Sequence, residues 1–286
     1  MGHLMWCLGL VLGLSLKNLP FMWHFRFFGA LAMGYLTRRR SGYALQQRHI
    51  FLLAVVRSRS SATEGDFNIH KSNSTYITDL DVSRAHLSGL LFAPILLQIK
   101  SSVHCNLIVS AISCTFHREI KPFQRYEIWT RVASWDDKWI YMVTHFVDTS
   151  KSCPSCYVMQ AHTSTNRKMR VPAPHKKEHH EVVFASAVTR MVFKSGRLTV
   201  PPKRALEICG LLSAPAAESP MATSCPGPGA GVTESATGFN EWTVEEMAVY
   251  KETNLPIVRL ERGWDAVREL FREDQSVLAE YRDFMW

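Results

Sequence analysis

Strand-like runs that follow one another closely constrain the fold of this chain most. In Ile108–His117, apolar and small polar residues alternate, which is the two-residue period of a strand with two different faces. The runs Arg125–Trp135 and Lys138–Val147 come next, and only Asp136 and Asp137 separate them. Because a link that short joins neighbouring antiparallel strands, these runs predict a hairpin within an antiparallel sheet.

A helical pattern lies between strand-like runs. Apolar residues from Tyr76 to Leu91 recur at close to helical spacing, and Pro94 ends the pattern. Further strand-like runs lie before it at His49–Ser61 and after the hairpin at Glu181–Phe193. The order of strand, long helix and four strands predicts an α+β fold. In this fold the helix lies along one face of an antiparallel sheet of about five strands.

The N-terminal residues 1–40 are strongly apolar. Leu4–Leu16 has no charge, and only Lys17 and Arg26 interrupt the stretch to Thr37, after which three consecutive arginines follow. With Lys17 reaching the interface, this pattern predicts a membrane-associated segment, a single uncleaved anchor with the domain in the cytosol. The alternative is an apolar helix that packs on the domain.

The remaining boundaries follow from composition. Residues 49–212 form the predicted domain, in which the polar stretch 148–180 is interpreted as a surface loop. Residues 213–238, rich in Pro, Gly, Ala and Ser, predict a disordered linker. Residues 239–286 predict a C-terminal extension of two amphipathic helices.

Several classes of function lack their motifs. The net charge is +8, but the chain has no zinc-finger spacing and no RNP-like aromatic motif, so a nucleic-acid partner is not predicted. Seven cysteines with one lone Cys153–Cys156 pair indicate free thiols, and no metal site is predicted. A GxSxG nucleophile elbow is also missing.

Polar side chains crowd the stretch "DFNIHKSNSTY" just before the predicted helix. Asp, Asn and Ser in such a place are ordinary helix caps. The spacing of Asp66, His70, Asn73 and Tyr76, however, resembles the signature of hotdog thioesterases of the 4-hydroxybenzoyl-CoA thioesterase type. The blocks "REIKPFQRYEIWTRVASWDDKW" and "VFKSGRLTVPP" resemble more narrowly the fungal thioesterase-like proteins related to thioesterase superfamily member six.

The resemblance implies the hotdog fold and hydrolysis of an acyl thioester. Asp66 occupies the position of the family's acidic residue, which attacks the carbonyl directly or activates water. His70 is expected to hold the rotamer of Asp66, and Asn73 to orient water or the carbonyl. These three residues are the predicted catalytic residues.

Substrate contacts are expected around the same motif. The start of the helix offers free N–H groups that polarise a carbonyl, and cationic side chains attract the phosphates of coenzyme A or of a carrier-protein arm. The predicted substrate-binding residues are Lys71, Ser72, Ser74, Tyr76, Arg57 and Arg59. No cofactor is expected, since coenzyme A or phosphopantetheine enters as part of the substrate. The expected partners are this substrate, a membrane surface and a second copy of the chain in a homodimer.

Two alternatives stay open at this point. One is a non-catalytic hotdog protein that binds an acyl chain or lipid. The other is a dehydratase or cyclase that acts on a thioester-bound intermediate of secondary metabolism.

Overall fold

The computed structural model describes residues 16–42, 44–99, 103–150, 157–159, 182–212, 244–271 and 276–283. Its strands are β1 Leu53–Arg59, β2 Asn106–Phe116, β3 Arg125–Trp135, β4 Ile140–Asp148, β5 Val183–Ser195, β6 Leu198–Val200 and β7 Val277–Arg282. They form one sheet in the order β2-β5-β4-β3-β1-β7, with β6 paired to β5. All pairings are antiparallel except that of β1 with β7.

The helices lie around this sheet. They are α1 Met22–Ser41, α2 Asn73–Leu91, α3 Ala93–Leu96, α4 Pro202–Ile208, α5 Val244–Val258 and α6 Gly263–Glu269. The five strands β1 to β5 and the long helix α2 confirm the predicted α+β arrangement. The predicted hairpin is present as well, because Asp136 N–H donates to Trp139 O at 2.9 Å in the link between β3 and β4.

Helix α2 lies on one face of the sheet. The apolar side chains that face the sheet are fully buried, among them Leu80, Leu87 and Leu90. A chain of hydroxyl groups also joins the helix to the sheet, since Ser83 Oγ lies 2.7 Å from Thr130 Oγ1. Burial of these leucines contributes roughly 2 kcal/mol each, so the helix is held firmly against the sheet.

The C-terminal part covers the opposite face of the sheet. Helix α5 contacts it through Ser134, whose hydroxyl donates to Lys251 O at 2.8 Å, and Phe271 packs on Trp129 with ring centroids 5.3 Å apart. Two C-terminal helices were predicted, and two are present. The second was predicted from the sequence over Glu261–Phe284, and that extent is wrong, because α6 ends at Glu269 and Val277–Arg282 is strand β7.

The predicted membrane anchor is wrong. Among the helices of the described ranges, none combines the length and the apolar character that a bilayer span requires. Lys17 and Arg26, expected to interrupt a lipid-facing segment, are instead buried in ion pairs with the rest of the protein. Helix α1 therefore follows the alternative, an apolar helix packed on the domain.

Glycines allow α1 to approach α2 closely. A Cβ on Gly89 would lie 2.2 Å from Leu31 O, and a Cβ on Gly34 would lie 2.4 Å from His86 O. Both obstacles are backbone atoms, so a side chain at either position would push the helices apart. The second turns of the two helices also meet, since Arg26 pairs with Asp79.

Two predictions lie mostly or wholly outside the described residues. The surface loop 148–180 is described only at 148–150 and 157–159, and the linker 213–238 is not described. The boundaries of the segments at 1–40, 49–212 and 239–286 remain predictions.

Candidate active site

The segment from Glu64 to Ser72 forms a closed loop between the end of β1 and the start of α2. Ser72 N–H donates to Glu64 O at 2.8 Å, and Asp66 N–H donates to His70 O at 2.9 Å. Gly65 and Lys71 form an antiparallel bridge between these two bonds. We call residues 64–72 the motif loop. Its two ends are held together, so its middle residues project away from the sheet.

Asp66 and His70 lie together at the base of the projecting part. His70 Nδ1 is 3.4 Å from Asp66 Oδ1, and the two side chains are 28% and 24% exposed. Asp66 Oδ1 also accepts a hydrogen bond from Asn68 N–H at 2.9 Å. The structure thus brings together the predicted base and the predicted orienting histidine, and it leaves the carboxylate open to solvent.

The tip of the motif loop is apolar and strained. Phe67 is 92% exposed and Ile69 is 76% exposed. Ile69 has a φ of 59°, in the left-handed region that a β-branched residue rarely adopts and that costs about 1–3 kcal/mol. The backbone bonds at the base of the loop maintain this conformation. Such strain is typical of functional loops, and the exposed apolar pair suits contact with an acyl chain or a partner surface.

The start of α2 borders the same loop. Ser72 is the N-cap residue, and Asn73 and Ser74 are exposed in the first turn. Ser72 Oγ and Ser74 Oγ are 3.1 Å apart, and Ser72 O accepts from Thr75 N–H at 3.0 Å. The first N–H groups of a helix lack partners within the helix, so this end can donate to a carbonyl oxygen. The roles predicted for Asn73, Ser72 and Ser74 remain predictions.

Lys71 points away from this opening. Its side chain is fully buried, with Nζ 3.2 Å from Glu64 Oε1 and 2.9 Å from Asp79 Oδ2. The structure contradicts the prediction that Lys71 attracts phosphates, because its charge is already paired inside the protein. Its position anchors the motif loop instead.

Lys71 belongs to a larger set of buried charges, which we call the buried ion cluster: Lys17, Arg26, Glu64, Lys71, Asp79 and Asp283. Burial alone would raise the pKa of Asp79, but the charges of Lys17, Lys71 and Arg26 outweigh it and hold that pKa well below its usual value. Burial lowers the pKa of Lys17, although Asp79 opposes the shift. Three cations and three anions balance, which makes this burial tolerable.

Two more predicted substrate contacts are corrected. Tyr76 is only 2% exposed and packs edge-on against Phe116 and Phe146, with ring centroids 5.0 and 4.8 Å apart. Arg57 Nε lies 2.8 Å from Glu127 Oε1, and its Nη1 lies 3.2 Å from Glu280 Oε1. Both side chains are therefore engaged inside the fold.

Arg59 is different from Arg57. It is exposed, and its Nε donates to Phe123 O at 2.8 Å, in the turn between β2 and β3. Its guanidinium also lies over the Phe123 ring, 5.6 Å from the centroid. Of the cations predicted to attract phosphate, Arg59 alone keeps an exposed side chain, and its role remains a prediction.

The buried ion cluster was not predicted from the sequence. The available signal was the presence of two charged residues, Lys17 and Arg26, within an apolar stretch. They were interpreted as interruptions of a membrane-associated segment, so their pairing inside the protein was not predicted. His117 and His145 share one hydroxyl group on strand β5 as a partner. Ser186 Oγ lies 3.0 Å from His145 Nδ1 and 3.2 Å from His117 Nε2.

A long helix on an antiparallel sheet, with a carboxylate-bearing loop where the helix begins, defines a hotdog-type α+β protein with a candidate hydrolytic site. Comparisons with known proteins agree with this class. A model of the thioesterase-like superfamily matches residues 61–193. The chain is 31% identical to the probable thioesterase atnL of Emericella nidulans, an alignment that covers 95% of this chain and 89% of atnL.

Other relatives support the same family. The chain is 33% identical to the thioesterase poxG of Penicillium oxalicum over 90% of this chain and 83% of poxG. It is 30% identical to Protein THEM6 of Xenopus laevis over 33% of this chain and 44% of that protein. The chain belongs to the thioesterase-like superfamily, and its expected likeness to fungal members and to member six is confirmed.

Proposed function

We propose that this chain hydrolyses acyl thioesters carried by coenzyme A or by a phosphopantetheine arm. The observation that carries the proposal is the Asp66 carboxylate, open to solvent and 3.4 Å from His70 at the start of α2. The names of atnL and poxG support the reaction class, because both relatives are described as thioesterases.

The site offers two of the groups that thioester hydrolysis needs. Asp66 serves as a base that takes a proton from water, or as a nucleophile that attacks the carbonyl itself. The N–H groups at the start of α2, at Asn73 and Ser74, polarise the carbonyl oxygen. The C–S bond then breaks, the thiol leaves with a proton, and water supplies the hydroxyl of the acid product. His70 orients the carboxylate.

We propose a homodimer as the working form. Strand β2 has eleven residues, and within the described ranges it is paired along one edge, with β5. Ile108 and Phe116 on this strand are 47% and 41% exposed. A long, apolar and unpaired edge is a liability for a monomer, and a second copy of β2 would cover it.

The test is an assay of the full chain against a panel of acyl-coenzyme A and acyl-carrier-protein substrates. Asp66→Asn is expected to lower kcat at least about a hundredfold, because the amide is neither base nor nucleophile. Asp137→Asn in the exposed β3–β4 link is the matched control and is expected to retain full activity.

Two outcomes would contradict the proposal. If folded Asp66→Asn retains the activity of the unsubstituted protein, Asp66 does not act in the reaction. If the unsubstituted protein turns over no thioester and mass spectrometry finds a retained acyl ligand, the chain is a binding protein.

A further inference from the structure

An open cleft lies beside the turn that joins β2 to β3. It has a volume of about 520 Å³ and is lined by Arg118, Glu119, Lys121 and Gln124. We call these four residues the basic cleft. Two cations and one anion make its wall positive, and none of the four belongs to the predicted substrate-binding set.

The basic cleft adjoins the motif loop. Ile120, between two of the cleft residues, is buried, and its carbonyl accepts a hydrogen bond from Lys71 N–H at 2.8 Å. Lys71 directly follows His70 in the chain. The wall of the cleft and the base of the candidate active site are therefore joined by one short backbone bond. An extended substrate with its thioester near Asp66 can reach the cleft with its polar end.

The turn that carries the cleft is well ordered by its own hydrogen bonds. Lys121 N–H donates to Gln124 Oε1 at 2.9 Å, and Gln124 N–H donates to Lys121 O at 3.1 Å. Ser60 at the end of β1 closes the other side, with Phe123 N–H donating to Ser60 O at 2.9 Å. A site built on a fixed turn loses little entropy when it binds an anion.

Neighbouring groups hold two of the arginine side chains around the cleft in place. The Arg118 guanidinium lies over the Phe184 ring, 5.1 Å from its centroid. Arg59 reaches the same turn through its bond to Phe123 O. Lys121 is exposed. Lys71 and Arg57, which were expected to attract phosphate, are paired with carboxylates. Lys121 and Arg59, by contrast, keep exposed side chains at this turn.

We propose that the basic cleft binds a phosphate group of the thioester's carrier, either coenzyme A or a phosphopantetheine arm. This proposal rests on the proposed function and specifies how its substrate is held. Arginine and lysine are the side chains that best complement phosphate oxygens. Glu119 also lines the cleft, and the two cations leave its wall with a net positive charge.

The test compares substrates that share one acyl group and differ in phosphate content. Acyl-coenzyme A carries the nucleotide and all its phosphates, acyl-phosphopantetheine carries one phosphate, and acyl-N-acetylcysteamine carries none. In the full chain, the double variant Arg118→Gln/Lys121→Gln is expected to raise KM for acyl-coenzyme A about tenfold or more at unchanged kcat, since charge-assisted hydrogen bonds are lost. Hydrolysis of acyl-N-acetylcysteamine should be unaffected.

Acyl-phosphopantetheine distinguishes the two sources of the phosphate. If the double variant raises KM for acyl-phosphopantetheine as much as for acyl-coenzyme A, the cleft binds the phosphate next to pantetheine. A carrier-protein arm also has this phosphate. If KM rises only for acyl-coenzyme A, the cleft binds the nucleotide phosphates. Either result supports the proposal.

The matched control is Lys203→Gln/Arg204→Gln, which also removes two positive charges. These residues lie on α4, which contacts α3 beyond the C-terminal end of α2. The control should leave all three substrates unaffected. The proposal is overturned if the cleft variant has the same KM for acyl-coenzyme A as the control. It is also overturned if the KM for acyl-N-acetylcysteamine rises by the same factor as that for acyl-coenzyme A.

Failure of the proposed function is separable from failure of this proposal. If the protein hydrolyses no thioester, calorimetric titration with coenzyme A alone still reports on the cleft. If coenzyme A binds more weakly to the cleft variant, and if its binding also weakens as the salt concentration rises, the cleft is an anion site even in the absence of hydrolysis. If the unsubstituted protein does not bind coenzyme A, the proposal that the cleft binds its phosphate is overturned.

Discussion

Lys71 Nζ lies 2.9 Å from Asp79 Oδ2, and both side chains are fully buried. One residue comes from the motif loop and the other from the second turn of α2. The ion pair therefore holds the loop that carries Asp66 and His70 against the helix that follows it in the chain. Glu64, on the other side of the loop, pairs with the same ammonium group at 3.2 Å.

Removal of Lys71 is expected to destabilise the protein strongly. Lys71→Met keeps most of the side-chain volume but leaves the buried ion cluster with one excess negative charge. Loss of one partner from a buried pair costs about 3–5 kcal/mol. Urea unfolding of the full chain measures the change in the free energy of unfolding.

A second substitution provides the control for this effect. Lys71→Met/Glu64→Gln restores charge balance and is expected to be more stable than Lys71→Met alone. If Lys71→Met changes stability by less than about 1 kcal/mol, the pairing contributes no more than a surface ion pair.

Local patterns were sufficient to predict the central part of the fold. The period-two alternation of β3 and the two-residue link after it depend only on neighbours in sequence, so both were found. Strand β7 was missed because its partner β1 lies more than two hundred residues earlier in the chain. Val277, Leu278 and Ala279 are all buried, which a parallel strand covered on both faces requires and a helical pattern does not reveal.

In the candidate site, too, contacts between residues distant in the sequence could not be predicted. The spacing from Asp66 to Asn73 placed the catalytic candidates close to the start of the helix, and the structure brings Asp66 and His70 together. The direction of Lys71 could not be read from that spacing. It depends on Lys17, Glu64 and Asp79, which reach the same place from three separate elements.

The crossing of α1 and α2 yields a prediction about stability. Gly89→Ala is expected to destabilise the protein by about 1–3 kcal/mol or more, because the new Cβ would lie 2.2 Å from Leu31 O. Gly29→Ala is the matched control on α1, where the Cβ meets only Tyr281 Oη at an ordinary 3.6 Å. That control should be neutral or slightly stabilising, since alanine favours a helix. Thermal unfolding compares the two, and equal melting temperatures would show that the helices do not pack this closely.

The proposed dimer predicts a change in mass. Ile108→Glu on β2 places a charge on the edge that a second copy would cover, so the variant is expected to elute as a monomer. Light scattering coupled to size exclusion measures the mass. Leu198→Glu on the short strand β6, where the side chain is 74% exposed, is the control and should leave the dimer intact. A monomeric unsubstituted protein at micromolar concentration would rule the dimer out.

Buried histidines predict a loss of stability in acid. His86 is fully buried on α2, where its ring stacks on Tyr281 with centroids 5.4 Å apart. Burial lowers the pKa of His86 to about 4, and the nearby backbone of Ala30 and Ala279 offsets this only in part. Burial likewise lowers the pKa of His145 to about 3. Both rings stay neutral in the folded state at pH values where they would be charged in the unfolded chain.

The sign of the effect follows from proton binding. Between the unfolded pKa of about 6.5 and the folded pKa of about 4, the unfolded state binds the extra proton, so the free energy of unfolding falls as the pH falls. For His86 the slope approaches about 1.4 kcal/mol per pH unit in that window. His86→Leu is expected to reduce the slope of stability against pH by up to one proton relative to the unsubstituted protein. Urea unfolding at a series of pH values measures both slopes, and an unchanged slope in His86→Leu would mean that the buried ring takes up its proton as readily as a solvated one.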